Sequence, residues 1–206
     1  IVGEATSDGL GETMRAADWT GDGYADVLAG APGSDEGAVD GGAVYLFAGS
    51  AALAFSGGVA TDATFRLLGV HVDDRIGEDV LPEPGDVDGD GALDLLVASM
   101  DTGSAWLLTG DALPSGPLSL ADAPYTFSGT AGDYASAATL ASDLDGDGSD
   151  EIVIGSARAA GGGVGRGSVL VYTWASGWGA SLTAADASAV INGATEAGGL
   201  GCGVAG

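Results

Sequence analysis

Hydrophobicity along the chain comes in short bursts. Apolar runs of four to seven residues, rich in Val, Leu, Ile and aromatics, are bounded by Gly, Asp and Pro. Runs of this kind, alternating or wholly apolar, predict short β-strands. Spacing of 3.6 residues is sustained nowhere, so long helices are not expected. The runs also recur in a fixed order. Three acidic segments align: DWTGDGYADVLAG at 18–30, DVDGDGALDLLVA at 86–98 and DLDGDGSDEIVIG at 143–155. Each is followed by a second apolar run, at 41–47, 103–110 and 167–173. A polar or glycine-rich connection then leads to a third run, at 63–69, 123–129 and 188–194, which the opening residues 1–5 resemble. A fourth run precedes each acidic segment and begins at Leu10-Gly11, Ile76-Gly77 and Tyr134-Ala135, with Leu200-Gly201 beginning it once more. The steps between these anchors are 66, 58 and 66 residues.

One repeat is therefore about four short strands, the pattern of a propeller blade, although the period exceeds the roughly 40–50 residues of the commoner blade families. A single β-sandwich is the alternative, but it does not account for three copies of one acidic loop. The expected fold is all-β, a partial β-propeller of four-stranded antiparallel blades. Residues 10–69, 76–129 and 134–194 form three complete blades. Residues 1–9 supply the outer strand of a preceding blade and 198–206 the inner strand of a following one. No low-complexity linker divides the chain.

Composition narrows the function. Thirty Asp and Glu stand against five basic residues, all arginine, for a formal charge of -25. A nucleic-acid backbone needs a positive partner surface, so nucleic acid is excluded as a ligand class. Anionic membrane surfaces are disfavoured by the same sign, and no apolar run approaches the roughly 20 residues of a spanning helix. Glycine makes up 39 of the 206 residues without a three-residue period, which excludes collagen and disfavours helices. Cys202 is the single cysteine, so neither an intrachain disulfide nor a cysteine-based zinc site can form. It reads either as a small buried residue or as a thiol whose partner lies in sequence beyond this chain. The absence of an initial Met and of a leader suggests a processed or excised segment.

The acidic loops carry the chemistry. In the second, Asp86, Asp88, Asp90 and Asp94 occupy positions 1, 3, 5 and 9, with glycine at position 6 for a sharp turn and the carbonyl of Ala92 at position 7. Odd spacing lets a curled backbone turn successive oxygens inward, and hard oxygen ligands in this number suit Ca2+. The first loop offers Asp18, Thr20, Asp22, the carbonyl of Tyr24, and Asp26. The third offers Asp143, Asp145, Asp147, the carbonyl of Ser149, and Glu151. Two like charges about 4 Å apart repel by roughly 4 kcal/mol at an effective dielectric near 20, so each loop needs a cation. Three Ca2+ sites are expected, with the second the tightest. A solvated Asp-Gly turn explains one such stretch but not three in register. The EF-hand is excluded because Ala29, Val97 and Ile154 stand where its position-12 Glu belongs.

Together the L/I/Y-G/A pair, the D-x-D-x-D-G-x-x-D loop, Gly30-Ala31-Pro32 and the G-x-V-Y-x-F run at 42–47 resemble the FG-GAP repeat of integrin α-subunit propellers and their bacterial secreted relatives. The second and third repeats carry Ala98-Ser99-Met100 and Gly155-Ser156-Ala157 in place of Gly-Ala-Pro. The resemblance implies antiparallel four-stranded blades with calcium bound between the first and second strands. It also implies rings of about seven blades. Further blades are therefore expected from a longer parent chain or, as the lesser alternative, from other copies packing head to tail.

The functional expectation is a noncatalytic adhesion or protein-interaction module, secreted or on a cell surface, with Ca2+ bracing the blade rims. A lectin, or an accessory propeller of an extracellular hydrolase or lyase, is the alternative. His71 is the only histidine, and no spacing suggests a Ser-His-Asp triad around it. It reads as a turn residue beside Asp73, Asp74 and Arg75, while Pro82, Glu83 and Pro84 read as a turn into the second loop. Trp174 and Trp178 are the candidates for stacking on a sugar, with blade-edge packing the plainer reading. The connections at 35–42 and 157–167, one acidic and one basic, are candidate contact loops or simply solvated. Abundant extracellular calcium suits acidic loops of this kind, so export is expected.

Overall fold

The computed structural model describes residues 3, 5–52, 57–58, 62–78, 84–99, 102–110, 113, 116–128, 137–156, 166–194 and 200. The Tyr134-Ala135 anchor, Pro82-Glu83, Cys202, nearly all of the 157–167 connection and most of the opening run lie outside the described residues. No helix among those described is long and apolar enough to cross a membrane.

The fold is all-β, in sheets that do not close into a barrel, consistent with part of a β-propeller. The strands are β1 (Met14–Ala17), β2 (Asp26–Ala31), β3 (Ala43–Phe47), β4 (Phe65–Leu68), β5 (Leu95–Ser99), β6 (Ser104–Leu108) and β7 (Gly116–Ser119), followed by β8 (Tyr125–Ser128), β9 (Ala137–Ala141), β10 (Glu151–Ser156), β11 (Ser168–Tyr172), β12 (Ser181–Leu182) and β13 (Ala189–Asn192). One antiparallel register occurs three times. The strand after each acidic loop pairs with the next through Ala29↔Tyr45, Val97↔Trp106 and Ile154↔Leu170. That strand pairs in turn with an outer one through Tyr45↔Arg66, Trp106↔Thr126 and Leu170↔Val190. On the other side, β1 meets β2 and β9 meets β10 at equivalent positions, Ala17↔Asp26 and Ala141↔Glu151. In the second repeat the same pairing survives among the described residues as a bridge between Gly85 and Asp94.

The chain forms two compact units, residues 1–81 with 110–123, and residues 82–109 with 124–206. The first holds a five-stranded sheet in the order β1-β2-β3-β4-β7. All five residues of β3 are buried, which is why its sequence is continuously apolar instead of alternating. Ala29, Ala31, Ala43, Tyr45 and Phe47 form one core cluster, with Leu10, Val27, Ala63 and Leu68 against it. Gly30 sits where three backbone segments converge. Its amide donates to the Thr13 carbonyl at 2.9 Å, and Gly11 N–H donates to its own carbonyl at 2.8 Å. The Thr13 hydroxyl donates to the Gly77 carbonyl at 2.8 Å. A Cβ on Gly30 would lie 2.2 Å from that carbonyl oxygen and 2.4 Å from the hydroxyl. This contact supplies the physical reason for glycine in the Gly30-Ala31-Pro32 signature.

The second unit holds two sheets, β12-β8-β6-β5 and β13-β11-β10-β9, that share one core. Val87, Leu96, Ala105, Leu107 and Phe127 meet Leu140, Ile152, Ile154, Leu170 and Tyr172 there. Tyr125, Phe127, Tyr172, Trp174 and Trp178 form an edge-to-face aromatic cluster, with Trp174 and Trp178 centroids 5.1 Å apart. The Tyr172 hydroxyl donates to the Thr183 carbonyl at 3.2 Å. Burial, with the Asp186 charge behind it, pushes that phenol up to about 12.

Two strands fall inside what the sequence presents as polar connections. β7 adds in parallel to β4, and β12 adds in parallel to β8. Both run into a single 3-10 turn, Leu120–Asp122 or Ala184–Asp186, capped by the hydroxyls of Ser119 and Thr183. An unpaired edge leaves a row of backbone donors and acceptors unsatisfied, and these short strands cover it. The anchors are likewise fixed by parallel bridges, Gly42 to Ile76 in one unit and Gly167 to Leu200 in the other.

Substitution Gly30→Ala should lower the unfolding free energy by about 1–3 kcal/mol, the usual range for overpacking a rigid site. Urea unfolding monitored by tryptophan fluorescence measures it. A midpoint equal to that of the parent chain contradicts the close approach described above.

Candidate metal centre

The three acidic loops fold alike because the same residues repeat the same local hydrogen bonds. The carboxylate at position 1 accepts the amides of positions 5 and 6. Asp18 receives Asp22 and Gly23 at 3.0 and 2.8 Å, Asp86 receives Asp90 and Gly91 at 3.0 and 2.8 Å, and Asp143 receives Asp147 and Gly148 at 3.0 and 3.1 Å. The carboxylate at position 5 accepts the amide of position 7, from Tyr24 to Asp22 at 2.9 Å, Ala92 to Asp90 at 2.7 Å and Ser149 to Asp147 at 2.9 Å. This curl requires positive φ at position 6, where Gly23, Gly91 and Gly148 have φ of 89°, 92° and 100°. The glycine at that position is a condition of the loop's shape.

Position 9 opens the following strand in the first and third copies, stands immediately before it in the second, and is buried in every copy. Asp26, Asp94 and Glu151 are 0%, 1% and 1% exposed. Each carboxylate closes its loop by accepting an amide from near the loop's start. Thr20 donates to Asp26 at 2.9 Å, Val87 to Asp94 at 2.7 Å, and Leu144 to Glu151. Asp26 also accepts the Gly49 amide at 2.8 Å. A buried carboxylate is costly unless it is hydrogen-bonded or paired with a cation, so this position is where burial and charge collide.

The loops differ in what they gather. Asp86, Asp88 and Asp94 each offer one oxygen within 4.8 Å of the others, as do Asp143, Asp145 and Asp147. In the first loop Thr20 replaces the position-3 carboxylate, and its hydroxyl lies 3.4 Å from Asp26. The third loop contains the most exposed charges, while its Glu151 has an oxygen, Oε1, that is buried without a hydrogen-bond partner. Burial raises the Glu151 carboxyl above its ordinary range. The Leu144 amide opposes that rise, and the charges of Asp145, Asp147 and Asp143 add to it. A hard-oxygen donor set with an unsatisfied buried carboxylate oxygen fits a calcium-sized cation.

Asp150, at position 8 of the third loop, was not singled out by the sequence. Its carboxylate accepts the amides of both Asp86 and Asp143, at 2.9 and 3.0 Å, while its own amide donates to the Asp86 carbonyl at 2.8 Å. It therefore ties the second loop to the third. The only signal in the sequence is an acidic residue at a position where the other copies have Ala25 and Leu93. Asp8 and Asp74, two residues before the Leu10 and Ile76 anchors, are also structural carboxylates. Asp8 accepts the Ala5 amide at 2.7 Å, and Asp74 accepts those of Val70 and His71 at 3.0 and 2.7 Å.

Other sequence candidates among the described residues make structural contacts. His71 is exposed in a turn, with Nδ1 3.3 Å from Asp74. Asp73 and Arg75 both have positive φ there, and Arg75 pairs with Glu78 at 2.9 Å. Trp174 and Trp178 are half-buried in the aromatic cluster, as blade-edge packing requires. In the acidic connection at 35–42, Glu36 is held by Arg66 at 2.8 Å and by the Tyr45 hydroxyl at 3.1 Å.

Replacing Asp150 by Ala should cost about 1–2 kcal/mol of stability, because two amides lose a charged acceptor. Asp150→Asn, which keeps a carbonyl acceptor, should cost less. Equal urea midpoints for both variants and the parent contradict the tie.

Comparison with known proteins agrees with this geometry. A family model described as FG-GAP repeat matches residues 10–47, from the Leu10 anchor through the first loop to the end of β3. One described as FG-GAP-like repeat matches residues 86–154, from the second loop through the third. No curated protein matches the chain. The two matched stretches take in all three acidic loops, and their repeated pairing is what the sheets display; the chain belongs to the FG-GAP repeat family.

Proposed function

We propose that the chain is a noncatalytic, calcium-binding propeller segment of a secreted or cell-surface protein, in which Ca2+ fixes the loops that join the first and second strands of each blade. The observation that carries this reading is the buried carboxylate at position 9, present in all three loops and joined in the second and third by a gathered set of aspartates. Asp18, Thr20, Asp22, the Tyr24 carbonyl and Asp26 would hold the first ion. Asp86, Asp88, Asp90, the Ala92 carbonyl and Asp94 would hold the second, and Asp143, Asp145, Asp147, the Ser149 carbonyl and Glu151 the third.

When bound, Ca2+ supplies charge neutralisation and a rigid centre for the curl. The chain's own contribution is to pre-form that curl through the position-1 carboxylate, so that little ordering remains on binding. The second loop, whose acidic trio is half-buried to buried, is screened least by water and salt and is assigned the highest affinity. Adhesion or assembly with other proteins suits a rigid scaffold whose fixed rim carries variable connections. Export suits carboxylate loops that need plentiful calcium.

Saturating Ca2+ at about 100 times its dissociation constant should add roughly 2.7 kcal/mol per site, which for a chain of this size is about 5–10 °C per site. Calorimetric titration should count three ions, and exhaustive chelation should lower the melting temperature accordingly. A melt indifferent to chelation defeats the proposal.

Glu151→Gln should act in opposite directions with and without calcium. A carboxyl raised in the folded state contributes stability below the ordinary carboxylate range, and that contribution is lost as pH rises through the raised value. At neutral pH without calcium, the neutral amide should therefore raise the melting temperature. With calcium, the same variant should lower the third site's affinity. Scanning calorimetry in the two conditions reads both signs.

A further inference from the structure

The outer strands of the three repeats occupy equivalent positions but different surroundings. Leu67, Phe127 and Ile191 each stand two residues before a glycine that closes the repeat. Leu67 and Phe127 are 0% and 2% exposed, whereas Ile191 is 57% exposed and its neighbour Val190 46%. The difference follows the pairing. β4 is covered by β7 with Leu67 opposite Leu118, and β8 is covered by β12 with Phe127 opposite Leu182. Among the described residues, no strand lies on the far side of β13.

The two covering segments share a pattern beyond the strand. Leu118-Ser119 and Leu182-Thr183 each place a leucine before a hydroxyl cap, and Ala121-Asp122-Ala123 and Ala185-Asp186-Ala187 follow in the same frame. The cap hydroxyls accept the Ala121 and Ala185 amides at 3.2 and 3.3 Å. Thr183 also donates its own amide and hydroxyl to Asp186 at 2.8 and 2.9 Å. The cap and turn end the added strand and feed the chain into the outer strand of its own repeat. Each covering strand thus comes from the repeat that follows the strand it covers.

We infer that β13 is a receiving edge for the connecting segment of a further repeat of this kind, which adds in parallel with its leucine opposite Ile191. The edge has none of the devices that keep exposed strands apart. Its sequence, Ala-Val-Ile-Asn, contains no Lys, no Pro and no charge, and all four residues are exposed. The equivalent of the next anchor is already in place, since Leu200 bridges Gly167 in parallel as Ile76 bridges Gly42. The pairing depends on the repeat geometry and not on calcium, so chelation and this inference fail separately.

The test extends the chain in frame from Gly201 with a second copy of residues 136–194, which continues the repeat and raises the effective concentration of the covering segment. Backbone amide exchange at Val190–Asn192 should slow about tenfold or more relative to the unextended protein. Changing the appended copy of Leu182 to Asp should restore fast exchange. In a second version, Ile191→Cys and Leu182→Cys in the appended copy should form a disulfide under mild oxidant, while Cys at the appended Ala180 should not. Unchanged exchange together with free thiols overturns the inference. So does an unextended chain that buries β13 by pairing with β13 of a second copy, seen as a dimer that Ile191→Asp dissociates.

Discussion

Each acidic loop places a carboxylate where a buried strand begins, and the second and third loops gather further aspartates close by. Asp26, Asp94 and Glu151 cannot move outward, because each stands at or immediately before the start of a strand whose following residues are core. The position-1 carboxylate answers part of this constraint by turning two backbone amides toward itself, and position 5 answers more by taking a third. Backbone dipoles can neutralise only part of the charge. Glu151 shows the remainder, a carboxyl raised by burial and by three neighbouring aspartates, with one oxygen left without a donor. The sheets and the proposed ion sites therefore meet at one position, since the residue at the start of the strand is also the one that the proposal gives to the cation.

The rest of the fold repeats a few backbone approaches. Gly30 against Gly77 and Gly42 against Ile76 bring one repeat's first turn onto the sheet of the repeat before it. Side chains cannot be inserted at these contacts, which helps explain why a chain with 39 glycines still builds a dense apolar core. In the second unit, the Asp150 carboxylate adds a polar version of the same joining, between two loops instead of a turn and a sheet.

Much of this was legible in the chain itself. Four-strand periodicity and the loop glycines follow from short apolar runs and a repeated Asp and Gly spacing, whereas the shared register of the hairpins emerges only in the sheets. β7 and β12 were not legible, because Gly116–Ser119 and Ser181–Leu182 are too short and too polar to stand out. What makes them strands is the edge they meet, not their own propensity. Asp8, Asp74 and Asp150 were hidden for a related reason. In a chain with 30 acidic residues, a carboxylate that caps a turn looks like any other until its amide partners are known. Trp174 and Trp178 show the converse, since a conspicuous aromatic pair packs half-buried against Tyr125, Phe127 and Tyr172.

The membership of β7 has a consequence for how the polypeptide is made. Residues 110–123 belong with the first unit, although β6 before them and β8 after them belong to the second. The β4 edge thus waits nearly fifty residues of synthesis for its neighbour, and parallel addition over that separation is a slow, non-local closure. Neither unit is a contiguous stretch of chain, so a nascent or proteolysed fragment ending near residue 81 would keep a raw sheet margin. The peptide threads its repeats together like a running stitch, each seam closed only when the following length has been drawn through.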